Sequence, residues 1–141
     1  MINMNFTTSK KNIIMHSNVT THLLSQTAYW RLSKTFVENL GLHKAFILTT
    51  LIDKSEYFIS INQAQDGWFY YRQQDMIQHC PIAEKTLRDI VQEFCDKGFI
   101  QKELRQEGQD RRNYFKINAH QISEFITNCL IEKSKNQNAT L

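Results

Sequence analysis

Between residues 85 and 112 the sequence sets out Lys85, Thr86, Arg88, Asp89 and Gln92, followed by Arg105, Arg111 and Arg112. These are cationic or hydrogen-bonding side chains on flexible stems, and no nucleophile and base stand together among them. A guanidinium or ammonium group can donate to the O6 and N7 acceptors of guanine, a glutamine amide pairs with adenine, and a carboxylate can accept from the cytosine amino group. At about 100° per residue, Leu87, Ile90, Val91 and Phe94 fall at i, i+3, i+4 and i+7 and form one apolar stripe. Lys85, Asp89, Gln92 and Asp96 then point away from that stripe, flanked by Thr86 and Arg88. A solvated helix face of mixed charge would carry the same pattern. The three arginines flank Gly108 in the run RQEGQDRR, where a hairpin tip could enter a narrow groove of strong phosphate potential. Glu103, Glu107 and Asp110 lie among them and can equally pair with them and cancel the field.

Other chemistries find no carrier. No G-x-S-x-G, H-E-x-x-H, P-loop or dinucleotide motif occurs, so the chain is not expected to be an enzyme, and no small-molecule substrate is evident. The five histidines show no metal-ligand spacing, so neither metal nor cofactor is expected. Cys80, Cys95 and Cys129 sit on or beside apolar helix faces and read as buried, reduced thiols. No signal peptide and no long apolar run are present, which points to a cytoplasmic protein without membrane contact and leaves the sequon at Asn138 unused. A net charge of +3 permits a nucleic-acid partner without demanding one.

The elements that would position these residues can be taken in order. With 141 residues, 41% of them hydrophobic, a single domain with a real core is expected over residues 21–133, between a flexible arm (1–20) and a disordered tail (134–141). An extended segment from His22 to Leu32 should pack on the domain. Thr35 and Glu38 match a capping box for a short helix ending at Gly41. Ile47, Leu48, Leu51, Ile52, Phe58 and Ile59 give the stripe of a main core helix over residues 42–60, with Lys44, Thr50, Asp53, Lys54 and Glu56 towards solvent. Asp66-Gly67 is a turn, and Trp68–Tyr71 a short aromatic strand that packs rather than binds. Met76, Ile77 and Cys80 mark a small helix, Pro81 a break, and residues 83–97 a longer helix stopped by Gly98. That succession is the sequence form of a helix-turn-helix. Residues 99–104 and 113–117 read as strands joined by a charged hairpin loop, and Asn118 as the cap of a helix with the stripe Ile122, Phe125, Ile126, Cys129 and Leu130.

The segment PIAEKTLRDIVQEFCDKGFIQK is similar to the recognition-helix-to-wing segment of bacterial winged-helix proteins, with Thr86, Leu87, Arg88, Phe94, Lys97, Gly98, Phe99 and Ile100 at the patterned positions. DGWFYYRQQDMIQHC, preceded by Leu40-Gly41-Leu42 and Ala45, resembles the N-terminal domains of plasmid and phage replication initiators and replisome organisers. The likeness covers about residues 32–118. It implies a mainly α fold with a small antiparallel sheet, a winged helix-turn-helix carrying an extra C-terminal helix. The sequence departs from the pattern at Arg72 and Ala83, where Ser or Thr caps are usual, and at the acidic Glu84 and Asp89.

The resemblance implies a protein that binds double-stranded DNA sequence-specifically for a plasmid, phage or related element, as a transcription regulator or replication-initiation accessory factor. Residues 83–97 would enter the major groove, and the wing at 105–112 would meet the backbone or minor groove. Read as complete, the chain favours a small regulator; read as a fragment, an initiator's N-terminal domain. The C-terminal helix can close the core or pair two copies into a homodimer. A protein-interaction module that keeps this fold without binding DNA is the alternative. Residues 71–118 support it with nine Lys/Arg against eight Asp/Glu, a net charge of only +1.

Overall fold

The computed structural model describes residues 30–139. Chain contacts divide the protein into two units, residues 1–31 and 32–141, and every element below belongs to the second. The expected arm over residues 1–20 and most of the extended segment from His22 lie outside the described residues.

Among the described residues five α-helices and a three-stranded sheet follow one another as α1 (Lys34–Leu40), α2 (Leu42–Ser60), β1 (Trp68–Tyr70), α3 (Gln73–His79), α4 (Glu84–Asp96), β2 (Ile100–Glu107), β3 (Asp110–Ile117) and α5 (Ala119–Ala139). The cap of α1 is Ser33, whose side chain accepts from the Phe36 amide at 3.3 Å. This corrects the capping box placed at Thr35 and Glu38: the serine two residues upstream takes the orphan amide first. The bounds of α2 are those expected. Its role is more central than a single stripe implies, since Ala45, Phe46, Ile47 and Leu48 are all buried in succession. Over residues 45–48 the helix is buried on every side, and it serves as the mast of the domain, with α1, α4, β1 and β3 packed against it. Ile59, by contrast, is 53% exposed; in the last turn of α2 it is Phe58 that packs on the sheet, stacked on Phe69 at 6.0 Å.

The sheet is antiparallel in the order β1-β3-β2. Its hairpin corrects the expected long charged loop. Pairing continues from Ile100↔Ile117 to Glu107↔Asp110, which leaves only Gly108 and Gln109 as the turn. Of those two, only Gly108 has a positive φ, +63°, the sign pattern of a Gly-first two-residue turn. Residues 105–107 and 110–112 are therefore strand, not tip. Gly98, at φ +75°, ends α4 as expected, and a β-carbon there would carry the strain of a left-handed backbone.

Asn118 caps α5, with Oδ1 accepting from the Gln121 amide at 3.3 Å. That helix runs on through residues 134–139, where the sequence predicts a disordered tail. Long straight-chain residues such as Glu132, Lys133 and Gln137 favour helix, and Lys133 reaches Glu38 of α1 at 3.6 Å. Of the cysteines only Cys80 is buried; Cys95 and Cys129 are half-buried, and all three are free.

Two contacts fix α4 on this frame. Its stripe Leu87, Ile90, Val91 and Phe94 is buried, and Phe94 meets Phe99, which meets Phe125 of α5. Phe94→Ala should cost about 3–5 kcal/mol of stability in a denaturant titration, from lost transfer energy plus an unfilled cavity. The second contact is Lys44 of α2, whose Nζ lies 2.8 Å from Glu93 Oε2, with Lys97 Nζ at 3.6 Å. The Lys44 hydrogen bond holds the Glu93 carboxyl below its ordinary range. A depressed carboxylate contributes stability above its unfolded pKa and loses it as pH falls through the folded one. Glu93→Gln should therefore destabilise by about 0.5–1 kcal/mol at pH 7, the range of a half-exposed pair, and the deficit should begin to shrink as pH falls below the ordinary glutamate pKa of about 4.3.

Candidate nucleic-acid interface

The helix-turn-helix is α3, a break at Cys80–Ala83, and α4. Pro81 forces Cys80 into an extended conformation, φ −113° and ψ 108°, so α3 cannot continue. Neither helix has a side-chain cap, as Arg72 and Ala83 foretell. Other groups compensate. Arg72 grips Asp75 through two hydrogen bonds of 2.9 Å, which lowers the Asp75 pKa and places an anion in the first turn of α3. Gln73 Nε2 donates to Glu84 Oε1 at 3.3 Å and ties the starts of the two helices together. Behind them, the Tyr71 hydroxyl and His79 Nδ1 share a 2.7 Å hydrogen bond, and burial pushes the Tyr71 phenol well above its ordinary pKa. Cys80 Sγ meets Thr50 Oγ1 at 3.6 Å, pinning the break to α2.

With the α4 stripe buried, Lys85, Arg88, Asp89 and Gln92 are exposed on its far side, and Thr86 is half-buried. Lys85 and Arg88 make no ion pair among the described residues, and neither does Asp89. Gln92 is partly committed, donating to Asp96 Oδ1 at 3.0 Å. Glu84, the first residue of α4, is turned to Gln73.

The sheet sorts the wing residues, because successive side chains in a strand point to opposite faces. Phe69, Phe115 and Lys102 share a register row, and buried Phe69 and Phe115 define the face against the helices. Asn113, Leu104, Gln106 and Arg111 follow on that face. Trp68, Tyr70, Tyr114, Arg105, Arg112, Glu103, Glu107 and Asp110 lie on the other. There the Arg105 guanidinium sits 4.3 Å from the Tyr114 ring and 5.4 Å from Trp68, while Arg112 lies 5.1 Å from Tyr70. Arg105 also pairs with Glu103 at 3.1 Å, and Arg112 with Glu107 at 2.8 Å. The expected trio of tip arginines is thus divided. Arg111 alone is on the α4 side, exposed and without an ion pair among the described residues, while Arg105 and Arg112 are held on the outer face.

Sequence reasoning missed Lys102. Its alternation with the buried Ile100 is the signal that would have placed it on the inner face. A half-open cavity of about 230 Å³ separates Lys102 from α4. Met76, Leu87, Val91 and Phe115 line it with carbon, and Gln73, Arg88, Gln92, Lys102 and Asn113 give it polar walls. Among the described residues no group of three metal-ligating side chains occurs, and no helix is long and apolar enough to cross a membrane.

No protein-family model matches the chain, and no curated protein matches it in sequence. Solved structures do match in shape. One, described as the N-terminal domain of a DNA binding protein, superposes with a TM-score of 0.52 at 16% identity over 96% of this chain and 98% of its own. Another, described as the structure of a Rep–DNA complex, gives 0.51 at 13% identity over 68% of this chain and 78% of its own. At such identities the likeness concerns the fold. That fold is a winged helix-turn-helix, mainly α with a small antiparallel sheet, in which α4 stands at the recognition-helix position, β2–β3 is the wing and α5 is the extra C-terminal helix.

Proposed function

We propose that the protein binds double-stranded DNA with sequence preference, α4 lying in the major groove and the wing beside it, as a transcription regulator or replication-initiation accessory factor of a plasmid, phage or related mobile element. The observation that carries this reading is the segregation of charge. Lys85, Arg88, Lys102 and Arg111 face one side without ion pairs among the described residues, whereas Glu93, Glu103, Glu107 and Asp110 are each paired with a lysine or arginine, and Glu84 and Asp96 accept from glutamines. On this reading Arg88, Gln92, Thr86 and Asp89 meet base edges, and Lys85, Lys102 and Arg111 meet phosphates. Arg105 and Arg112 support the wing from behind. The role is one of binding, not catalysis, and the setting is the cytoplasm.

Fluorescence anisotropy with labelled duplexes at two salt concentrations tests it. Lys85→Ala or Arg111→Ala should weaken binding on every sequence and lower the salt slope by about 1. Arg88→Ala should cost about 1–3 kcal/mol on the preferred site and little elsewhere, and Arg105→Ala should change neither. Absence of binding to any duplex at low salt would sink the reading.

Two copies are further proposed to pair through α5, whose Leu130 and Ile131 remain 52% and 46% exposed past the end of the core. A two-fold pair would present its α4 helices about 34–36 Å apart, one DNA turn. Light scattering should find a dimer that Leu130→Glu combined with Ile131→Glu converts to a monomer; an unchanged mass would remove α5 as the interface.

The second reading, a protein-interaction module, is favoured by the outer sheet face. Trp68, Tyr70 and Tyr114 are half-exposed there beside guanidiniums already neutralised by carboxylates, a composition common at protein interfaces. Arg105→Ala, inert towards duplex DNA in the first reading, would disrupt this one.

A further inference from the structure

The cavity between α4 and the wing has a chemistry of its own. At about 230 Å³ it is smaller than the ~300 Å³ of an ordinary drug-sized ligand site, so its occupant is a single ring or short chain. Its floor is Met76, Leu87 and Phe115, all buried, on which a bare phosphate would gain nothing. Its walls bring Arg88 and Lys102 from opposite sides, both without an ion pair among the described residues, with the Asn113 amide alongside. Glu84, one turn before Arg88 on α4, accepts from Gln73. An apolar floor beneath two unpaired cations is complementary to an amphipathic anion.

We infer that this cavity binds a small organic carboxylate with an apolar body, its carboxylate between Arg88 and Lys102 and its body on Met76, Leu87 and Phe115. Because Arg88 and Gln92 belong to both the cavity wall and the exposed face of α4, an occupied cavity withdraws them from any partner of that face. This last consequence rests on the duplex-binding reading; occupancy itself does not.

The test is a two-dimensional amide NMR titration of the whole chain, without DNA, using benzoate, its uncharged isostere benzamide, and inorganic phosphate. Benzoate should give saturable shifts at α4 and at residues 102 and 113. Benzamide should bind at least about tenfold more weakly, and phosphate should leave those signals unmoved. Arg88→Ala and Lys102→Ala should each weaken benzoate about tenfold or more, while Arg105→Ala on the outer face should leave it unchanged. Folding of each variant is read from the dispersion of the same spectra, and the milder Arg88→Gln replaces any variant that unfolds. The inference is overturned if benzoate shifts are absent or unsaturable, if phosphate matches benzoate, or if the cavity variants bind benzoate as tightly as the parent. In a separate arm, saturating benzoate should weaken duplex binding; benzoate binding without that effect overturns the coupling, and absence of duplex binding altogether overturns only the DNA reading.

Discussion

Everything on the functional side of this molecule depends on the burial of four side chains, Leu87, Ile90, Val91 and Phe94. Each large apolar side chain buried contributes about 1.5–3 kcal/mol, so turning α4 by even one residue would expose a sum comparable to the whole stability of a small domain. The helix is thereby locked in rotation, and the exposure of Lys85, Arg88 and Asp89 is a by-product of what lies beneath them. Lys44 adds direction. By gripping Glu93 it ties one edge of α4 to α2, the helix around which the domain is assembled. The contact is weak beside the hydrophobic term, but it is directional where that term is not.

The third strand has a similar effect on the wing. An isolated two-stranded hairpin is marginal in water. Here β1 joins β3, and Phe69 packs on Phe115 with ring centroids 6.1 Å apart, so that one sheet face belongs to the core. Once one face is buried, register is fixed, and every wing side chain is assigned to a face. The division of the arginines follows. Arg105 and Arg112 are directly opposite each other, like charges that would repel if unaccompanied. Tyr114, Trp68 and Tyr70, with Glu103 and Glu107, are the company that makes this pair tolerable. They stiffen the hairpin almost to its two-residue turn.

What could be read from the sequence was what depends on neighbours in the chain. The bounds of α2 and α4 follow from apolar periods, the first opening after Gly41 and the second stopped by Gly98, and Asn118 announces α5. The element order then narrows the fold to a winged helix, which the geometry bears out. What could not be read depends on partners far along the chain. The strands through residues 105–107 and 110–112 look like loop because Arg, Gln, Glu and Asp have little strand propensity; cross-strand pairing overrides it. Residues 134–139 look like tail because their helix leans on α1 and not on a local stripe. Lys102 was invisible as a surface residue of interest until register put it on the face that Phe115 defines.

Net charge is the coarsest of these readings and the one that geometry changes most. Over residues 71–118 the balance is +1, which argues weakly for any anionic partner. Yet charges act over a Debye length of about 8–10 Å, so what a partner meets is the local sum on one face. Glu103, Glu107 and Asp110 project from the far side of the sheet, all three paired with arginine. Glu93 lies under Lys44 and Lys97, and Glu84 faces Gln73. The side shared by α4 and the inner wing face is left with Lys85, Arg88, Lys102 and Arg111 against three exposed acids of α4 without an ion pair among the described residues: Asp89, Asp96, which accepts from Gln92, and Glu84, which accepts from Gln73. Four cations against three carboxylates still leave an attraction for a phosphate backbone, and among the described residues only Asp89 of those acids accepts no side-chain hydrogen bond. Asp89 bars close approach by a purine's acceptor edge and rewards a cytosine amino group, so on the proposed reading it is a source of discrimination, and one of the two acids that depart from the winged-helix pattern becomes part of how a sequence would be chosen.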